Sequence, residues 1–133
     1  MIRYFVVSIV SGLLFGVMDG IINANPFAQK LYEIYKPIAK TSVNITGGVI
    51  IDLVYGFIMT GIFLILYKSL PGKIGLIKGI SFTFLVWFFR VVMYVASIWM
   101  MFNVPSGVLF YMLITGLAEM LILGIFYGFT LKP

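Results

Sequence analysis

Residues 79–101 read GISFTFLVWFFRVVMYVASIWMM. One charge, Arg90, interrupts a stretch otherwise filled with Phe, Val, Ile, Leu, Met and Trp. A helix crossing the hydrocarbon core of a bilayer needs about 20 apolar residues. A surface helix of a soluble domain instead carries apolar residues along one stripe only. This stretch is long enough and apolar enough on all sides to read as a transmembrane span with a cation near its middle.

Three comparable stretches lie around it, at about residues 4–22, 43–66 and 107–129. The whole chain supports the same class. Of its 133 residues, 62% are hydrophobic and 10% charged, with a mean hydropathy of +1.16. Soluble domains run nearer 45–50% apolar and about 25% charged. Four crossings use about 80 residues, and no length remains for a separate soluble domain. The expected fold is therefore a single all-α transmembrane domain, residues 1–133, built as an antiparallel four-helix bundle. The first segment reads as a retained span and not as a signal peptide, because Asp19 interrupts its end and Ile22 stands where cleavage wants a small residue.

The connections are short. Lys68-Ser-Leu-Pro-Gly-Lys73 is a turn signal with flanking lysines. In Asn103-Val-Pro-Ser106, Pro105 ends one helix and Ser106 is the expected N-cap of the next. The loop after the first span is longer. Asn25-Pro26 makes an N-cap followed by proline at the first helical position. Phe27, Leu31, Ile34, Tyr35 and Ile38 then recur at helical spacing, with Gln29, Lys30, Glu33 and Lys36 on the other side. This predicts a short amphipathic helix lying in the membrane interface over about 26–36, stopped near Pro37. Arg3, Lys68, Lys73, Lys78 and Lys132 fall on one side of the bundle and Lys30, Lys36 and Lys40 on the other. Positive residues favour the inside, which puts both termini in the cytoplasm, and a prokaryotic cytoplasmic membrane is the expected location.

What the chain lacks excludes much chemistry. It has no Cys and no His. That removes disulfides, thiolate nucleophiles, cysteine-ligated metal sites, the usual haem ligand and the usual imidazole base. No metal and no cofactor are expected. No nucleotide-binding or hydrolase motif is present, and no nucleophile–base pair supports an enzyme. The net charge of +5 fits lysines near lipid headgroups. No basic stripe with interleaved aromatics points to nucleic acid.

The informative residues are the charges inside the spans, since each costs roughly 2.5–3.5 kcal/mol at the bilayer centre. There are four: Asp19, Asp52, Arg90 and Glu119. Counted from the non-cytoplasmic ends at about 1.5 Å per residue, Asp19 lies ~5 Å deep, Asp52 ~14 Å, Arg90 ~17 Å and Glu119 ~18 Å. Three charges from three helices thus converge near the midplane of a core about 30 Å thick.

Their neighbours share the faces. Thr83, Trp87, Arg90, Tyr94 and Ser97 form one seam. Gly48, Asp52, Tyr55, Gly56 and Thr60 form another, as do Thr115, Gly116 and Glu119. Ser8, Gly12, Gly16 and Gly20 form a small-residue run that permits close helix packing. The candidate ligand or proton site is therefore Asp52, Arg90 and Glu119, with Tyr55 and Tyr94 as hydroxyl donors. Arg90, always protonated, balances one carboxylate or shares itself between two. The remaining carboxylate is expected to exchange a proton. Asp19, with Asn23 beside it, is expected at an entrance or at the helix cap.

Two functions follow. One is binding or transport of a small anionic or proton-coupled ligand, in a chain so small that transport calls for a homodimer. The other is an accessory or scaffold subunit of a larger membrane complex, where the buried charges only fix helix order and register.

Overall fold

The computed structural model describes residues 2–38 and 44–131. Val43, where the second span is expected to start, and Lys40 and Lys132 of the orientation count lie outside them. All regular structure among the described residues is helical: α1 (Ile2–Ala24), α2 (Pro26–Leu31), a 3-10 helix (Tyr32–Ile38), α3 (Ile45–Leu66), α4 (Gly75–Trp87), a π turn (Phe88–Val92), α5 (Met93–Met101) and α6 (Ser106–Thr130). Four helices are long and apolar enough to cross a membrane: α1, α3, the continuous stretch Gly75–Met101 and α6.

The helix ends follow from local polar chemistry. The third long helix starts at Gly75 rather than Gly79, although this places Lys78 inside it. Lys78 is tolerated because its Nζ donates to Tyr67 O at 2.6 Å and Leu70 O at 2.9 Å. It also stands 4.8 Å from the Tyr67 ring. A lysine thus satisfies the C-cap carbonyl of α3 and a carbonyl of the turn that follows it. Asn44 caps α3 at its start, its side chain accepting from Gly47 N at 2.9 Å. Ser106 is not a cap. It is the first residue of α6, and Pro105 takes the cap position with no side-chain bond.

The segment after α1 departs from the expected single helix over 26–36. Its α-helical part lasts six residues, and the chain then tightens into a 3-10 helix that runs through Pro37 to Ile38. Proline has no N–H to give to the carbonyl four residues back, and its ring crowds that carbonyl. An α-helix therefore cannot carry on through Pro37 undisturbed, and the tighter winding takes over.

The bundle is built from two close pairs. In the first, α1 packs on α3. Tyr4 donates its hydroxyl to Phe57 O at 2.9 Å, and a Cβ on Gly12 would sit 2.9 Å from Leu53 Cα. A Cβ on Gly56 would sit 2.6 Å from Gly12 N. In the second pair, α4 packs on α6 through Gly75 and Gly79 against Gly128 and Gly124. Thr83 Oγ1 donates to Met120 O at 3.1 Å, and Trp87 Nε1 to Leu113 O at 3.0 Å. Between apolar helices in lipid the driving force is van der Waals contact and such hydrogen bonds, so small residues at the crossing set how close the backbones come. The second crossing was not anticipated, although Gly75-x-x-x-Gly79 and Gly124-x-x-x-Gly128 carry the same small-residue signal as α1.

The two pairs join differently at their two ends. Near Tyr4, the C-terminus of α3 and the C-terminus of α6, they close over an aromatic core. Phe63 stands 5.2 Å from Phe82 and 5.6 Å from Tyr127, centroid to centroid. Towards Asn25 they leave space between them.

The π turn re-phases the third long helix. Met93 N–H bonds to Phe88 O, five residues back, so one extra residue enters the turn. The expected seam Thr83, Trp87, Arg90, Tyr94, Ser97 holds only through Arg90. Beyond it the buried positions are Val91, Val95 and Ile98, each one residue later than a regular helix would place the seam. Tyr94 is 60% exposed, and Ser97 Oγ bonds back to Met93 O.

Candidate functional site

Glu119 lies on the buried face of α6, flanked by Gly116, Met120 and Leu123. Its side chain is 5% exposed. Gly116 has no side chain to fill the space against Val91, whose Cγ2 would be 2.7 Å from a Cβ there. This lets the π turn approach α6. Arg90, in that turn, places Nη1 3.8 Å from Glu119 Oε1. That separation makes an ion pair but is too long for a hydrogen bond, and among the described residues Glu119 Oε1 has no hydrogen-bond partner. The guanidinium carbon lies 5.2 Å from the Tyr55 ring on α3 and 5.6 Å from the Phe15 ring on α1. Arg90 therefore reaches from its own helix to the other three long helices, by charge on one side and over aromatic faces on the other.

Around this pair is a cavity of about 330 Å³, lined by Asp19, Asn23, Tyr32, Tyr55, Arg90, Tyr94 and Glu119 among others. Its walls come from all four long helices and the 3-10 helix. Asp52 does not line it. It lines the adjoining groove between α1 and α3, about 480 Å³, together with Gly12, Gly16, Gly20 and Gly48. Gly16 leaves room for the Asp52 carboxylate: a Cβ there would be 3.1 Å from Asp52 Oδ2. Gly20 has nothing within 4 Å of such a Cβ among the described residues.

Asp19 stands near both of the other carboxyl groups. It does not cap α1. That helix continues to Ala24, and its end is closed by Asn25, whose Nδ2 donates to Ile21 O and Ile22 O at 2.8 Å each. The orphan groups at a helix C-terminus are carbonyls, and a carboxylate has no donor for them. The same Asn25 side chain accepts from Ala28 N at 2.8 Å and so starts α2. Tyr111 of α6 fastens this corner, donating its hydroxyl to Ile22 O and accepting from Asn25 Nδ2 at 3.0 Å.

Sequence reasoning missed two contributors, Phe15 and Tyr32, and placed a third, Asp19, only at an entrance or cap. Phe15 supports Arg90 from below. Tyr32 covers the cavity from the 3-10 helix; burial, with Tyr111 and Tyr35 close by, pushes its hydroxyl up to about 12, so it stays protonated and able to donate. Asp19 joins the charged group. A signal for Phe15 and Asp19 existed: buried Ser8, Ser11, Phe15 and Met18 on α1 follow a 3-4-3 spacing, and Asp19 falls next to that seam. The site as built holds three carboxyl groups and one guanidinium. Among the described residues, no three acidic side chains converge as a metal-ion site would need.

The class these features define is a protein with four helices fit to cross a membrane and a charged, open pocket between them. No family model, no curated protein and no solved structure matches the chain.

Proposed function

We propose that this chain is an integral membrane protein, an antiparallel four-helix bundle that binds or transports a small ligand at the Arg90–Glu119 cavity, with proton exchange at its carboxyl groups. Apolar length supports the membrane setting, and the excess of lysine and arginine on one side supports cytoplasmic termini, in a prokaryotic cytoplasmic membrane. The observation that carries the function is Glu119. A carboxylate oxygen nine-tenths buried, without a hydrogen bond, facing a cavity large enough for a small molecule, is costly unless something occupies or protonates it. Ionisable groups at such depth mark ligand and proton pathways by default, and a π turn at Arg90 fits, because such turns recur at functional sites. One chain is small for alternating access, so the transporting unit we propose is a homodimer.

A second reading rests on a different observation. Arg90 contacts groups on the three other long helices, as a structural clamp would, and a scaffold subunit of a larger complex needs no more than that.

Proteoliposomes loaded with a pH-sensitive dye separate the two. Tetramethylammonium, benzylammonium, acetate, benzoate and inorganic phosphate are added outside in turn. At least one is expected to drive proton movement that Glu119→Gln abolishes. No response to any of them from folded wild-type protein leaves the scaffold reading.

A further inference from the structure

Resting on that reading, we infer that the ligand is a small organic cation, an amine or quaternary ammonium, held between the carboxyl groups and the tyrosines of the cavity. Three features carry this. Asp19 and Glu119 line the cavity and Asp52 adjoins it through Asp19, so an entering anion meets carboxyl groups from α1, α3 and α6. The one guanidinium is already engaged, with Glu119 at 3.8 Å and the rings of Phe15 and Tyr55 on its other sides. Glu119 Oε1 nevertheless remains without a hydrogen-bond donor, although its side chain is 5% exposed. The N–H of a protonated amine is the donor that this oxygen lacks, and a charge-assisted bond of this kind is about twice as strong as a neutral one; a quaternary ammonium brings the charge alone.

The remaining lining decides between an organic and an inorganic cation. Tyr32, Tyr55 and Tyr94 come from three separate elements. Tyrosine faces attract an ammonium group within about 6 Å of the ring centroid, and an aromatic cage with one carboxylate is a known way to hold a methylated amine. A dehydrated divalent cation wants six or more oxygen ligands in a rigid shell, which the spread of the three acids does not offer. Tyr94 is the freest of the three rings, 60% exposed and, among the described residues, in no hydrogen bond or ring pair, so its ring face is open to a ligand.

The test is isothermal titration calorimetry on the full chain in lipid nanodiscs, with benzylammonium and tetramethylammonium against benzoate, the charge-reversed counterpart of the first, and against KCl and MgCl₂. Saturable binding of the ammonium probes is expected, weakened about tenfold or more by Glu119→Gln. Tyr94→Leu should weaken it about threefold, and Tyr94→Phe, which keeps the ring face, should weaken it less than Tyr94→Leu does. Binding of benzoate but not of benzylammonium overturns the ligand class and leaves the binding function standing. Binding of K⁺ or Mg²⁺ that ammonium probes do not compete overturns it likewise. No heat with any probe, from wild-type protein of unchanged helicity, overturns both. If Glu119→Gln fails to fold, the Tyr94 pair alone decides: equal affinity of Tyr94→Leu and wild type excludes the aromatic cage.

Discussion

Arg90→Gln and Glu119→Gln should differ sharply in cost, although they remove opposite ends of one ion pair. At the 3.8 Å separation of Arg90 Nη1 and Glu119 Oε1, the Coulomb attraction is about 4 kcal/mol at an effective dielectric of about 20. Removing one partner of a buried pair typically costs 3–5 kcal/mol, because the other charge is stranded. Arg90→Gln strands three carboxyl groups with no cation among them. Protons relieve part of that, so about 3 kcal/mol is expected near neutral pH. Glu119→Gln strands nothing comparable: Arg90 keeps Asp19 and Asp52 nearby and the faces of Phe15 and Tyr55, and its side chain is 28% exposed. A cost of about 1 kcal/mol or less is expected there, the scale measured for polar contacts between membrane helices. Denaturant titration in mixed micelles, followed by far-ultraviolet circular dichroism and tryptophan fluorescence, measures both. Acidification should shrink the Arg90→Gln penalty, since protonating the stranded carboxyl groups removes their mutual repulsion. Equal costs for the two variants, or an Arg90→Gln penalty that grows as the pH falls, would refute the three-to-one charge count on which the site is built.

Other outcomes follow from the packing. Gly124→Ala puts a Cβ against Thr83 Oγ1 and the Gly79 carbonyl and should destabilise the bundle by about 1–3 kcal/mol, as overpacking does. Gly20→Ala meets nothing within 4 Å and should be neutral or stabilising by up to about 1 kcal/mol through helix propensity; thermal unfolding of the two in the same detergent checks the contrast. Trp87→Phe removes the bond to Leu113 O and should cost about 0.6 kcal/mol, at most about 1.7, in the same denaturant titration. Asn25→Ala removes the cap shared by α1 and α2 and should lower stability by about 1–2 kcal/mol, with hydrogen exchange rising first over Pro26–Leu31.

The four long helices were legible because apolar length alone specifies them, and the charges inside them were legible because nothing apolar explains a charge there. The details that were hidden each depend on a contact between segments. Lys78 reads as a loop residue until its ammonium is seen to close α3. Asp19 reads as shallow while the first helix is ended at Ile22; with the helix extended to Ala24 it lies about 8 Å from that end and next to the other carboxyls. Phe88–Val92 holds neither proline nor glycine, so nothing local announces the π turn that moves the buried seam from Tyr94 to Val95. The α4–α6 crossing is a different case: its glycines were visible at a spacing of four, and their signal was read only in α1.

The central claim is that the Glu119 carboxyl group is reachable from water in the folded protein. A water-soluble carbodiimide with an amine nucleophile, applied to the chain in nanodiscs and mapped by mass spectrometry, tests it directly. Glu33, with a side chain 60% exposed, serves as the internal control for surface reactivity. Labelling of Glu119 alongside Glu33, suppressed at Glu119 but not at Glu33 by excess tetramethylammonium, is the expected result. Labelling of Glu33 with Glu119 untouched would contradict the claim and leave Arg90 and Glu119 as a sealed structural pair.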